Sequence, residues 1–501
     1  MPDACQIGLR NRGICVIIPT YNNAGTIVDV VTRTQAYCAD VFVVLDGCTD
    51  DTLSRLEAMP QKPRCIVLEK NAGKGSALKA GFRHAKEAGF AYAITLDGDG
   101  QHYPEDIPLF LEANRRHPGA LIIGKRQGLE KAVRSKGSKF ANAFSNFWFF
   151  VQTWIPLADT QTGFRLYPLH RLPCLPLMPS RYEAELALLV FSAWRGVPLV
   201  NQEVRVYYPS AEERVSHFRP LRDFGRISVL NVILCTLALV YGWPVTILRG
   251  LFRFLKTWVI LLSYLLAMAL VVMPCVFLYL RCGGLSEKKK DTLHLWIYRI
   301  IKMATSFLGF FGNPFTVAGR TEEDFSRPAV IICNHQSQLD LLAILSLTPK
   351  LVILTADWVQ HNPLYGFIIR AADFLPASKG LDTIAPRLQE LVDKGYSIVV
   401  FPESTRSVDG RIGRFHQGAF YLAERFDIDI LPVVLYGTRR ALPKHGRIIR
   451  SWSILRVVDP RISPQELSQY GDSFKAQASS LRKYFISRSG EIADQIEQKP
   501  V

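Results

Sequence analysis

The sequence predicts two α/β domains separated by an apolar, membrane-associated helical segment. Three observations lead there. Short apolar runs of strand length alternate with helical stretches from residue 13 to about 225. A second alternation runs from about residue 313 to 465. Between them, Ile227 to Leu280 carries no charge except Arg249, Arg253 and Lys256. The expected divisions are residues 1–225, a middle segment 226–312, residues 313–465 and a helical polar tail 466–501.

The 501 residues leave room for about three domain-sized units. Lys and Arg total 60 against 44 Asp and Glu, a net charge of +16. That balance suits an anionic membrane surface or phosphate-bearing substrates. It would also suit nucleic acid, but no recognition-helix or zinc-finger pattern accompanies it, so no nucleic-acid partner is expected. The ten cysteines show no Cys-x-x-Cys spacing. Cys15, Cys65 and Cys333 sit in apolar runs, as reduced packing residues do. Met1 to Arg12 is polar and passes directly into a strand-like run, so no signal peptide is expected and the domains should face the cytosol.

In the first domain, residues 15–19, 41–45, 64–68, 91–96 and 120–123 are the strand candidates. Such alternation argues a parallel sheet with helices on both faces, where ligands bind beyond the carboxyl ends of the strands. Those ends read Pro19-Thr-Tyr21-Asn22, Asp46-Gly-Cys-Thr-Asp-Asp, Asn71-Ala-Gly-Lys74-Gly-Ser and Asp97-Gly-Asp99-Gly-Gln101-His-Tyr-Pro-Glu-Asp. Two carboxylates one residue apart can share a divalent cation, Mg²⁺ or Mn²⁺, that also holds a diphosphate. A plain Asp-Gly turn is the alternative. Walker A fails, because residue 68 is Leu and Gly follows Lys74, and no G-x-G-x-x-G is present.

Taken in order, these four motifs resemble the family 2 glycosyltransferases, particularly the polyprenyl-phosphate sugar synthases. The resemblance covers about residues 15 to 207. It implies a GT-A, Rossmann-like fold and a nucleotide-sugar donor. Pro19, Tyr21, Asn22, Asp46, Lys74 and Asp97 would then bind the nucleotide sugar, with Asp46 at the base, and Asp99 and Gln101 would hold the metal. Asp159-Thr-Gln-Thr-Gly-Phe-Arg165 and Arg181-Tyr-Glu183-Ala-Glu185 match that family's acceptor-side motifs. If the acceptor is a lipid hydroxyl, Asp159 or Glu185 must take its proton. If it is a polyprenyl phosphate, already ionised at pH 7, they need only position it. Arg205, Arg214 and His217 are candidates for an acceptor phosphate or plain interfacial charges.

The middle segment holds Trp258 to Leu280, uncharged and long enough at about 1.5 Å per residue to cross a hydrocarbon core. Ile227 to Leu248 is a weaker run, interrupted by Asn231, Gly242 and Pro244. Basic residues flank both runs on either side, so the positive-inside tendency orients no simple hairpin. Gly242-Trp-Pro and Pro274 are places where the runs can break into shallow or re-entrant helices. Membrane attachment is the expectation, and the number of crossings stays open.

In the second domain, residues 292–311 look like an interfacial helix, and 329–333, 351–355, 396–401 and 430–434 like buried strands. The first strand leads into Asn334-His335-Gln-Ser337-Gln-Leu-Asp340. Five residues turn a helix about 140°, so His335 and Asp340 meet only if His335 precedes the helix, for which Ser337 is the natural N-cap. An Asp on one imidazole nitrogen leaves the other free as a general base. A capping pair is the simpler alternative. The third strand leads into Phe401-Pro-Glu403-Ser404-Thr405-Arg406-Ser407.

Together these resemble the glycerolipid acyltransferases of the lysophosphatidic-acid type over about residues 295 to 460, with Leu431-Pro432-Val433 as the late motif. The resemblance implies that His335 is the base, that Asp340 orients it, and that Glu403, Thr405 and Arg406 bind the acyl acceptor. Ser404 stands where the family has Gly. Lys379 stands near the place of a missing motif arginine. The tail after Ser463 looks polar, helical and solvated, and nothing past Arg461 suggests chemistry. The joint expectation is a bifunctional enzyme of glycolipid assembly on the cytosolic face of the inner membrane. It would move a sugar from a nucleotide sugar to a lipid or polyprenyl phosphate, and an acyl chain from acyl-carrier protein or acyl-CoA to a lipid hydroxyl. The alternative is a lipid-carrier binding protein with one inactive domain.

Overall fold

The computed structural model describes residues 2–127, 136–207, 220–282, 285–319 and 323–497. It divides into two compact units, Met1–Arg249 with Ala493–Val501, and Gly250–Ile492. Arg214 and His217 lie outside the described residues.

The first unit is built on β1 (Ile14–Thr20), β2 (Val41–Asp46), β3 (Arg64–Leu68), β4 (Tyr92–Thr95), β5 (Leu121–Arg126), β6 (Arg165–Pro168) and β7 (Leu199–Val204). They line up as β3-β2-β1-β4-β6-β5-β7. β1, β2 and β4 are buried along their whole length, which is why they read as unbroken apolar runs. The sheet departs from the expected all-parallel form, because β6 runs antiparallel to both β4 and β5. Its four residues, Arg-Leu-Tyr-Pro, carry a buried charge and a proline and hide the strand from any hydrophobic pattern. β3 is the edge, and Cys65 on it is exposed rather than packed, whereas Cys15 and Cys333 are buried as expected.

The second unit holds β8 (Phe315–Gly319), β9 (Ala329–Cys333), β10 (Leu351–Ile353), β11 (Ser397–Val400), β12 (Asp429–Tyr436) and β13 (Ile454–Val458), ordered β10-β11-β9-β12-β13-β8. All neighbours are parallel except β12 with β13. The loops after β9, β11 and β12 therefore leave from one edge of the sheet. The helix Phe474–Glu497 corrects the expectation of a solvated tail. Leu481 and Phe485 are fully buried, and the rings of Phe485 and Phe415 lie 5.3 Å apart.

Residues Phe224–Arg281 form one helical run of 58 residues, the one helix among the described residues long and apolar enough to cross a membrane. At 1.5 Å per residue it measures about 87 Å, roughly three times a hydrocarbon core. The two prolines do not break it. Pro244 follows a π-helical turn at Ala238–Gly242 and Pro274 follows another at Met268–Val272. A proline lacks the N–H of the i→i−4 ladder and crowds that carbonyl, and a widened turn absorbs the clash. The surface of the run is largely apolar and uncovered, with Leu239, Val240, Phe252, Leu262 and Leu270 among its exposed residues. Lys256 is not a surface charge as the sequence suggested. It is buried, and its Nζ donates to Phe311 O at 3.2 Å and Ser451 Oγ at 3.0 Å.

Two candidate active sites

The first site assembles at the carboxyl ends of β1, β2 and β4. Asp46 ends β2, and its two oxygens accept from the backbone N–H groups of Ala72 and Gly73, each at 2.8 Å. It thereby shapes the loop that leads into the helix Lys74–Glu87. Asn22, at a positive φ of 52°, accepts from Thr49 N at 2.8 Å and ties the loop after β1 to the loop after β2. Lys74 reaches across to Asp97 Oδ1 at 2.7 Å and Glu185 Oε1 at 3.1 Å. Burial disfavours its charge, but the two carboxylates outweigh that and hold Lys74 protonated well above its ordinary range. Burial likewise opposes ionisation of Asp97, yet Lys74, His102 and Arg165 bring it below the usual carboxylate value. Asp99 behaves oppositely. Burial and the neighbouring Asp97 charge push it up, although Gln101 N donates to its Oδ1 at 3.0 Å.

The loop from Asp159 to Arg165 closes over this cluster. A Cβ at Gly163 would stand 2.5 Å from Asp97 Oδ2, so only glycine lets the loop approach. Arg165 is fully buried and fastens the loop, donating to the carbonyls of Thr160, Thr162 and Glu185 at 2.7 to 2.9 Å. Asp159, also fully buried, is gripped by the Arg126 fork at 2.5 and 2.8 Å and accepts from Gln161 N. Both oxygens of Asp159 are thereby occupied by the guanidinium. Glu185, with one oxygen on Lys74, is the freer of the two. Arg205 is spent on Asp106, with bonds of 2.6 to 2.8 Å.

The second site lies at the edge where β9, β11 and β12 end. Asn334 staples β9 to β12, its side chain donating to Leu435 O at 2.9 Å and accepting from Leu435 N at 2.8 Å. His335 follows in an irregular segment. Its Nδ1 lies 2.9 Å from Asp340 Oδ2, and the N–H groups of Gln336 and Ser337 donate to the same oxygen at 2.6 and 2.7 Å. The helix starts at Leu339, two residues past the expected cap, because the Asp340 carboxylate itself satisfies the free N–H groups before it. Ser337 Oγ accepts from Leu339 N at 3.2 Å and donates to Leu442 O. With Nδ1 protonated toward Asp340, His335 presents Nε2 as acceptor. The Phe401 ring lies 4.3 Å from the imidazole.

Glu403 couples the two halves of this site. Its Oε1 accepts from His335 N at 2.8 Å and its Oε2 from Gly413 N at 2.6 Å. Burial raises its pKa above the carboxylate norm, against those backbone bonds. Ser404 has φ 57°, a left-handed conformation that glycine adopts without strain. Lys444, which no sequence pattern marked, donates to Thr405 Oγ1 at 3.1 Å and Arg406 O at 2.8 Å. Lys379 is exposed, in the turn that follows the Thr355–Pro376 bridge.

Comparison with known proteins agrees with this division. A model of glycosyl transferase family 2 matches residues 15–166, and a model of the acyltransferase family matches residues 315–436. The 1-acyl-sn-glycerol-3-phosphate acyltransferase of Saccharomyces cerevisiae is 31% identical over 218 residues, 40% of this chain and 68% of that protein. The chain belongs to the acyltransferase family. Within its first unit, residues 15–166 match the family 2 glycosyltransferases. There the UDP-N-acetylglucosamine–dolichyl-phosphate N-acetylglucosaminyltransferase of Methanococcus voltae is 28% identical over 220 residues, 40% of this chain and 88% of that protein. The chloroplastic 1-acyl-sn-glycerol-3-phosphate acyltransferase LPAT1 of Arabidopsis thaliana is 34% identical over 139 residues, 26% of this chain. The chain spans 38% of that relative's length.

Within the glycosyltransferase domain, one side chain stands out that sequence reasoning passed over. His102 is buried, its Nδ1 has no hydrogen-bond partner, and it lies 3.9 Å from Asp97 Oδ2. Burial lowers its pKa, keeping the ring neutral. The only signal was its place one residue after Gln101. Among the described residues no three His, Cys, Asp or Glu side chains gather as a metal cage. A diphosphate-bound Mg²⁺ needs only one or two carboxylates, however. The repulsion between the Asp97 and Asp99 carboxylates, which a cation would relieve, and the unsatisfied nitrogen of His102 fit such an ion.

Proposed function

We propose that this chain transfers a sugar from a nucleotide sugar to a polyprenyl-phosphate or lipid acceptor, and an acyl chain to a lipid hydroxyl, at a membrane. The observation that carries the reading is the intactness of both polar centres in one chain, Lys74–Asp97 beside Asp99 and His335–Asp340. In the first, Asp99, with the side chain of Gln101, would hold a divalent cation. When bound, such an ion would supply positive charge to the diphosphate leaving group. Lys74 keeps Asp97 ionised and fixed, and Asp46 and Asn22 set the loops around the nucleotide. The acceptor oxygen displaces the nucleoside diphosphate at the anomeric carbon. Because Asp159 is taken by Arg126 and Glu185 is shared with Lys74, the site suits an acceptor that arrives ionised, as a phosphate does.

In the second centre, His335 Nε2 removes the proton of the acceptor hydroxyl as its oxygen attacks the thioester carbonyl. The resulting imidazolium is stabilised by Asp340, and its proton leaves with the thiolate. Arg406, with Lys444 bonded to its carbonyl and Lys379 carried over from the family resemblance, would supply positive charge for an acceptor phosphate. The donor is acyl-carrier protein or acyl-CoA. The apolar run Phe224–Arg281 supports attachment to the cytoplasmic membrane, both domains facing the cytosol.

The test uses full-length protein with Mg²⁺ or Mn²⁺, labelled nucleotide sugars, lipid extract and an acyl donor. The readout is label entering the organic phase. Asp99→Ala is expected to abolish the labelled lipid, and His335→Ala to leave it one acyl chain short. If wild-type protein moves neither group while still binding lipid, the catalytic reading fails and a lipid-carrier role replaces it.

A further inference from the structure

A cavity in the acyltransferase unit, of about 290 Å³, shares no lining residue with the His335 centre. Tyr298 and Lys302 line it from the helix Glu287–Phe310, Val317 from β8, Ser346 from beyond the helix Leu339–Leu345, and Arg456 from β13. Arg456 is only 8% exposed. Its one close bond is Nη1 to Ser346 Oγ at 2.7 Å, with two longer contacts of 3.4 Å to the carbonyls of Ala343 and Phe315. Its Nε has no partner.

Among the described residues, no carboxylate pairs with Arg456 or Lys302. The acid that lines the cavity, Glu323, is already committed to Arg461 at 2.7 and 2.8 Å and to Phe325 N at 2.8 Å. The end of a seven-residue helix offers Arg456 at most a fraction of a counter-charge. A buried guanidinium without an anion is costly, and its spare donor points to a ligand that supplies one.

We propose that this cavity is an accessory site for the phosphate of an anionic phospholipid, held by Arg456 and Lys302. Its volume lies at the low end for ligand pockets, enough for a headgroup. Val317 gives it an apolar wall. On the same helix, Met303 and Phe310 stand 66% and 85% exposed, a surface on which acyl chains can lie outside the cavity. Arg406 and its neighbours recognise the acceptor that reacts. This second phosphate remains unchanged, so its role is to seat the domain on lipid.

The experiment measures binding of short-chain phosphatidic acid to the full-length protein in non-ionic detergent. Inorganic phosphate and short-chain phosphatidylcholine are the comparators. All proteins carry Arg406→Gln, which weakens the acceptor site, and thermal melting checks folding. Lys302→Gln, an exposed change, and Arg456→Gln, which keeps a donor for Ser346, are each expected to weaken phosphatidic acid binding at least tenfold. Undiminished binding in the folded Lys302→Gln protein overturns the site. Inorganic phosphate binding as tightly as the lipid overturns the lipid assignment. Phosphatidylcholine binding as tightly as phosphatidic acid overturns the requirement for an anionic headgroup.

Discussion

Asp340→Asn isolates the charge of the His335–Asp340 pair from its geometry. Asp340 is fully buried, and one oxygen, Oδ2, accepts all three bonds, from His335 Nδ1, Gln336 N and Ser337 N. The asparagine carbonyl can stand in that place and keep them. Its NH₂ then occupies the position of Oδ1, which has no partner. A buried donor without an acceptor costs about 1–3 kcal/mol of stability. The chemical cost is separate. A hydrogen bond to a charged group contributes about 1.5–3 kcal/mol against about 1 for a neutral pair, and the difference widens as the imidazole becomes cationic. A barrier raised by about 2–3 kcal/mol slows acyl transfer roughly 30- to 150-fold. The loss should fall on kcat and spare KM, because Glu403 and Arg406 are the residues proposed to contact the acceptor. The assay follows labelled acyl transfer from acyl-CoA or acyl-carrier protein to a lysophospholipid, with melting curves alongside. A folded Asp340→Asn protein with kcat within twofold of wild type would refute the reasoning.

Three further outcomes are expected. Lys74→Met leaves Asp97 and Asp99 facing each other without their cation, costing about 3–5 kcal/mol in denaturant titration and removing sugar transfer. Ser404→Gly relieves a left-handed residue, and should raise stability by about 1 kcal/mol and Tm by about 2–4 °C. His294 is buried between Phe374 and Tyr396, and burial pulls its pKa down to about 4. A depressed histidine binds its proton more readily when unfolded, so its contribution is whole above about pH 6.5 and is lost as pH falls toward 4, by about 3 kcal/mol at most. His294→Phe should flatten that part of the stability–pH curve.

What could be read from the sequence follows what each signal depends on. β1, β2, β4, β9 and β12 are buried on both faces and announce themselves as apolar runs. β6 and β13 do not. Arg165 and Arg456 sit inside them, each burying a charge on contacts made by residues far along the chain. Motif residues such as Asp97, Asp99, His335 and Asp340 were visible because strand ends concentrate chemistry. The pairing of Lys74 with Asp97 was not, since that 2.7 Å approach joins the start of the helix after β3 to the loop after β4. The prolines at 244 and 274 misled for a related reason. A proline breaks a regular ladder, but the preceding π-turns had already changed it.

The C-terminal helix carries the sharpest consequence of such hidden contacts. Arg482 donates from Nε to Gly413 O at 2.6 Å and from Nη2 to Ile412 O at 3.0 Å. Gly413 N in turn donates to Glu403, whose other oxygen takes the N–H of His335. Arg482 is therefore a positioning residue, acting on the acceptor loop through two intermediaries. Arg482→Ala removes bonds from a charged donor, about 1.5–3 kcal/mol in the orientation of Glu403. With Glu403 proposed to bind acceptor and His335 keeping Asp340, KM for the lysophospholipid should rise roughly ten- to hundredfold while kcat changes little. Arg482→Lys, which can reach one carbonyl, should recover part of the affinity. Sugar transfer by the same protein is the internal control and should be unchanged. If Arg482→Ala instead lowers kcat and melting temperature together with KM unaffected, the helix only holds the fold, and the path from Arg482 to Glu403 plays no part in recognising the acceptor.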